Sequence, residues 1–227
     1  MVDKFGAVVR GNPGERNVSL VFTGDEFRDG LPHISEVLEK KNIKGAFFVT
    51  GKFIEDKKSA KLLTRLSRKG HLIGPHSDQH LLYSPWENRD SMLVSKSEFV
   101  NDLEKNVERL EKIGIKSGDI FIAPYEWYNK KIVDWSAEIG FEVYNFTPGL
   151  RTPADYTYPE MGVRYMSSDK ILDQLYNYEK ENGLNGFIIL IHIGTDKRRT
   201  DKLYNRLEEI IDDLLLKNYN FVPLTKL

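Results

Sequence analysis

The sequence predicts an α/β chain, a parallel sheet or barrel built from βα units, and three observations carry that prediction. Short β-rich runs alternate with longer segments of helical period. Five separate runs end in ionisable or otherwise site-like residues, the pattern left when loops gather at the carboxyl ends of parallel strands. No internal repeat, low-complexity stretch or long linker divides the 227 residues, so one domain spanning 1–227 is expected.

In chain order, "NVSLVFT" (17–23) is the first strand. Ile34, Val37 and Leu38 form the first helical stripe. The strands "GAFFVT" (45–50) and "HLIG" (71–74) follow. Phe99, Leu103, Val107 and Leu110 make the next stripe, stopped by Gly114. After "DIFIA" (119–123), Asn129 reads as an N-cap ahead of Ile132, Val133 and Ala137, with Gly140 as the stop. "FEVYNF" (141–146) and "VRYM" (163–166) read as strands, and Ser168 as the cap of a helix carrying Ile171, Leu172, Leu175 and Tyr178. The chain closes with "FIILIHI" (187–193), a stripe of Leu203, Leu207, Ile210, Ile211 and Leu214, and "NFVPL" (220–224). Two long loops rich in aromatic residues, 77–90 and 147–162, read as ordered and functional.

Composition excludes several classes. Thirty-three basic and 34 acidic residues are interspersed to a net charge of −1, so no footprint for nucleic acid or anionic lipid is visible. No run is long and apolar enough to insert in a membrane, and "MVDKFGAVVRG" lacks the features of a secretion signal; neither fixes the compartment. The absence of cysteine leaves histidine and carboxylate as the only strong metal donors. Oligomeric state is not legible.

The polar residues at strand ends carry the chemistry. His76 and His80, in "GPHSDQH", have three residues between them and can converge on one ion; a carboxylate from elsewhere would complete a catalytic zinc site. The same pair is also readable as solvated loop histidines. Asp25 and Glu26 leave the first strand through Thr23 and Gly24, placed for one carboxylate to bind the ion and the other to accept a proton, or simply as turn residues. His192 is either a hydrogen-bonded core histidine or a proton donor to a leaving amine. The run Lys197, Arg198, Arg199 reads as a solvated face.

Taken together, these segments resemble the polysaccharide deacetylases, the NodB homology domain of carbohydrate esterase family 4. "GHLIGPHSDQH" resembles that family's H-[ST]-x-x-H motif with its G-H-x-[IV]-G lead, "IKGAFFVTGKF" its A-T-F-F-V-x-G segment, "FIAPYEWYN" its F-R-P-P-Y-G segment, and "IILIHIG" its L-x-H-D motif. The resemblance runs from about residue 17 to 224. It implies a distorted parallel (β/α) barrel of about seven strands and a metal-dependent hydrolase removing acetyl groups from carbohydrates outside the cytoplasm. His76 and His80 would be ligands to zinc, or to cobalt or nickel, His192 the general acid, and the Tyr125 N–H a donor to the oxyanion.

The departures are specific. The family's T-F-D-D-G, base then ligand, appears as "VFTGDEF": either Asp25 is the base and Glu26 the ligand, or Asp25 is the ligand and Gly24 stands at the base position. The arginine of R-P-P-Y is Ile122; Arg89 or Arg151 from the long loops are candidates to replace it, and Glu126 could supply a carboxylate of its own. Ile193 stands for the aspartate of L-x-H-D, and "TPGLRTPADY" for the family's D-x-x-D-W. Trp86, Trp127 and Tyr156 are candidates to stack on sugar rings or are ordinary packing. Two other functions fit the same residues: a metal- and carbohydrate-binding protein that has lost turnover, and a hydrolase of small cyclic amides.

Overall fold

The computed structural model describes all 227 residues. β1 (Asn17–Gly24) lies between β2 (Ala46–Val49) and β6 (Phe187–His192), and β2 pairs in turn with β3 (Leu72–Pro75). β7 (Asn220–Phe221) joins the start of β1, and β4 (Ile120–Phe121) pairs only with β5 (Glu142–Val143). Every ladder is parallel. The expected distorted barrel is therefore present, drawn as two sheets with two seams.

Side chains stitch both seams. Across β3 and β4, the His76 ring donates from Nδ1 to the Ile122 carbonyl at 2.8 Å. Across β5 and β6, the Thr147 N–H donates to Ile188 O at 3.0 Å, and Thr147 Oγ1 accepts from the Ile188 N–H at 2.9 Å. Strands that diverge too far for a backbone ladder thus still have their polar groups satisfied.

Alternation along the strands sorts two cores. Val21, Ala46, Phe48, Ile120, Ile122, Ile188 and Leu190 fill the barrel interior. The opposite faces, Leu20, Phe22, Phe47, Val49, Ile189 and Ile191, pack against the helices in a cluster of 34 buried residues. The helices are α1 (Leu31–Lys41), α2 (Gly51–Ile54), α3 (Lys57–Arg68), α4 (Lys96–Lys112), α5 (Lys130–Glu138), α6 (Ser168–Asn182) and α7 (Leu207–Leu216).

Capping follows local chemistry. Asn129 accepts from the Ile132 N–H, as read from the sequence. Ser95 and Glu98 close a reciprocal capping box at the start of α4. At α6 the cap is Ser167, and Ser168 is already inside the helix. Residues 163–166 are not a strand: a 3-10 turn spans Pro159–Arg164, its kink at Gly162 preventing an extended run. The sequence reading also missed α2 and α3. The core-facing residues of α3, Ser59, Ala60, Leu63 and Leu66, include only three apolar side chains among many cations.

Candidate active site

The inward alternation delivers the site. Continuing Val21 and Ile188–Leu190 by two residues places Thr23 and His192 at the top of the interior, paired in register between β1 and β6. The same step along β2 and β3 gives Thr50 and His76. Asp25 extends the β1 series inward, with Oδ1 accepting from Thr50 Oγ1 at 2.8 Å. Glu26, one residue on, faces the other way: it is exposed, in a groove with Asp29 and Lys197, and this removes it from the ligand and base positions proposed for it.

The histidine loop is held from below by one face of α4. Positions i, i+4 and i+7 of that helix are Asp102, Asn106 and Arg109, all turned toward the loop. Asp102 accepts from Ser77 Oγ (2.6 Å), the Gln79 N–H (3.0 Å) and Tyr83 OH (2.9 Å). Asn106 Oδ1 accepts from the His76 N–H at 2.8 Å, and Arg109 Nε lies 2.6 Å from the fully buried Asp78 carboxylate. This scaffold stabilises left-handed backbone at Ser77 (φ 75°) and His80 (φ 57°), which turns the chain until the two imidazoles are 5.2 Å apart.

With Nδ1–H committed to a carbonyl, His76 presents Nε2 as a lone pair. Burial, then the neighbouring imidazoles, pushes the His76 pKa down to about 3; burial, then His192 and Lys52, takes His80 to about 4. Both are neutral bases at ordinary pH. His80 Nδ1 lies 3.6 Å from Asp25 Oδ2, too far for a hydrogen bond. It is close to the roughly 3.3 Å expected between two donors of one tetrahedral zinc. As placed, no three His, Asp or Glu side chains are closed into a metal-holding group. The donor types, two neutral imidazoles and a carboxylate with partners behind His76 and Asp25, suit a zinc-like ion.

His192 has the opposite environment. The buried Asp155 accepts from its backbone N–H at 3.0 Å and from Nδ1 at 2.5 Å. Burial alone would push this imidazole down. The charge and hydrogen bond of Asp155, with the charge of Glu126, outweigh it and raise the pKa to about 9. Asp155 comes from the 147–162 loop, which is pinned by Arg199. That guanidinium is fully buried, donating to Thr157 O (2.6 Å), Met166 O (2.9 Å) and Ser168 Oγ (3.0 Å). The solvated face predicted for Arg199 is thus corrected: the charge run hid a loop anchor.

After β4 the chain makes a tight turn through Tyr125 (φ 61°) and Glu126 (φ 53°). The turn's bonds come from the N–H groups of Glu126 and Trp127 to Ala123 and Pro124, leaving the Tyr125 N–H outside them. The Tyr125 ring packs 4.4 Å from His80, and Trp86, Tyr125 and Trp127 form an aromatic shelf at the mouth. Trp86 is 52% and Tyr125 44% exposed; Trp127 is covered by the Arg89 guanidinium at 3.9 Å. Tyr156 stands on the other side, edge-on to His192.

Neither arginine proposed to replace the one missing at Ile122 reaches the carboxylates. Arg89 is spent on the Tyr128 carbonyl and the Trp127 ring. Arg151 is exposed, and its hydrogen bonds are backbone ones, its N–H to Gln174 and its carbonyl from the Ala154 N–H. Asp155 is a functional residue that the sequence motifs do not single out; its position in "TPADY", after the fifth strand, is the available signal.

The architecture and mouth define a class: parallel βα barrels with imidazoles and carboxylates converging at the strands' carboxyl ends. Within that class, the family model described as Polysaccharide deacetylase matches residues 10–144, more than half of the chain, and the chain belongs to that family. The resemblance read from the sequence motifs is borne out. Peptidoglycan-N-acetylmuramic acid deacetylase PdaA of Bacillus subtilis (strain 168) is 29% identical over 124 residues, 55% of this chain and 43% of PdaA; the chain thus matches less than half of that relative's length. Among solved structures, the Bc1960 peptidoglycan N-acetylglucosamine deacetylase superposes with a TM-score of 0.77 at 23% identity, covering 97% of this chain and 91% of that one. BA3943 of Bacillus anthracis, described as a family 4 pseudoenzyme, superposes at 0.76 with 18% identity, covering 99% and 69%. These two likenesses show the shared fold. No helix of this chain is long and apolar enough to cross a membrane.

Proposed function

We propose that this protein is a metal-dependent hydrolase that removes acetyl groups from an N-acetylated, or O-acetylated, carbohydrate, with a divalent ion, zinc foremost, held by Asp25, His76 and His80. The observation that carries the reading is the division of labour across one mouth: two neutral imidazoles beside a carboxylate on one wall, and a cationic imidazole fixed by Asp155 on the other. When bound, the ion polarises the acetyl carbonyl and lowers the pKa of water. His192, oriented through Nδ1, donates its proton to the departing nitrogen. The Tyr125 N–H donates to the developing oxyanion. The shelf of Trp86 and Tyr125, with Tyr156 opposite, is placed to stack on sugar rings. Peptidoglycan deacetylases among the relatives support a polysaccharide substrate and action outside the cytoplasm.

A second reading, a binding protein without turnover, is favoured by Gly24, which stands at the base position when Asp25 is the ligand, and by Ile122 and Ile193, both buried among apolar neighbours. Acetate release from a panel of N- and O-acetylated sugars, with zinc added and His80→Ala as control, separates the two. Release that depends on His80 is the expected result. Zinc bound by the wild type with no acetate from any substrate selects the binding protein.

A further inference from the structure

Once Asp25 is assigned beside the histidines and Glu26 faces solvent, the mouth lacks a carboxylate free to accept a proton. Glu126 fills that gap. Its Oε1 is closed off from solvent and makes no well-formed hydrogen bond; the one hydroxyl beside the carboxylate is that of Thr23, itself otherwise unpartnered. An unpartnered carboxyl oxygen inside a protein is costly, and one at the mouth of a site calls for a role in binding or catalysis to account for it. The other carboxylates of the mouth are engaged: Asp155 has both oxygens on His192, and Asp25 has Oδ1 on Thr50.

The backbone is bent to put Glu126 there. Tyr125 and Glu126 are consecutive left-handed residues, neither of them glycine, and Asn145 Nδ2 holds the bend by donating to the Glu126 carbonyl at 3.1 Å. The bend turns the side chain inward over Thr23, next to the residue paired with it in register, His192.

We infer that Glu126 is the proton acceptor of the reaction, an inference that rests on the deacetylase reading. The water O–H bond breaks as its oxygen bonds to the acetyl carbonyl carbon, and the proton passes to the Glu126 carboxylate. The C–N bond then breaks, its electron pair stays on nitrogen, and His192 delivers the proton that makes the free amine. The acyl product leaves as acetic acid, which ionises to acetate in water, and the proton on Glu126 returns to His192, so the pair is reset with one water consumed. Burial raises the Glu126 pKa from its ordinary value, the direction that helps a carboxylate hold a proton taken from water.

The test uses three forms of the full chain and the most active substrate of the acetate panel. Glu126→Gln is expected to lower kcat about 10²- to 10⁴-fold with zinc stoichiometry unchanged. Glu126→Gly removes both the unpartnered carboxyl and the strain of a side chain at φ 53°, so it is expected to raise Tm while abolishing turnover, and added formate is expected to restore part of the rate. A lowered Tm without formate rescue would make Glu126 structural and overturn the inference. An active wild type with Glu126→Gln at the same rate overturns it alone; a wild type that releases no acetate overturns the deacetylase reading with it.

Discussion

His76 and His192 stand at the same end of one barrel, yet the first is held as a neutral base and the second as a cation. Desolvation pushes both down, so burial is not what separates them. The difference is the partner at Nδ1: a carbonyl, which only fixes the tautomer, against a buried carboxylate, which adds charge. Desolvation sets the default, and one partner decides whether an imidazole offers a lone pair or a proton. The opposition extends to stability. His76, with its folded pKa depressed, contributes stability that is present above the unfolded value of about 6.5 and lost as pH falls toward about 3. His192, with its pKa raised, contributes stability that is complete below about 6.5 and lost as pH rises through about 9.

Breaking the neutral side should have the largest effect. His80→Ala is expected to lose zinc retention and bring acetate release to background, measured by metal analysis and acetate assay. Breaking the cationic side comes next: His192→Ala should keep its zinc and lose about 10²- to 10⁴-fold in kcat. An undiminished rate would remove the general-acid role. Asp155→Asn sharpens the comparison, because without the carboxylate burial governs His192 and its pKa falls. The basic limb of the kcat profile should then move to lower pH, and the alkaline stability loss should vanish from denaturation curves. Asp102→Ala acts through the loop, leaving Ser77, the Gln79 N–H and Tyr83 without their acceptor. A stability loss of about 2–3 kcal/mol by urea denaturation and zinc affinity weaker by about 10- to 100-fold are expected. The smallest effect is at Arg151→Ala, where exposure predicts a stability change within about 0.5 kcal/mol and unchanged kcat on small substrates.

What could be read in advance follows the same physics. Strands covered on both faces were legible because they read as short, nearly continuous apolar runs; the alternating direction of their side chains, followed past the strand end, separates Asp25 from Glu26. The α3 helix escaped because cations crowd its narrow apolar stripe. Arg199 escaped because a buried guanidinium and a solvated one have the same neighbours in sequence. The inward turn of Glu126 was out of reach for a different reason: it depends on two positive φ values at residues that ordinarily avoid them, set by a distant asparagine.

The seam between β3 and β4 bears on how this chain could diverge. His76 is riveted to the backbone oxygen of residue 122, an atom that every amino acid carries. The identity of the side chain at 122 therefore does not decide whether the histidine has its acceptor.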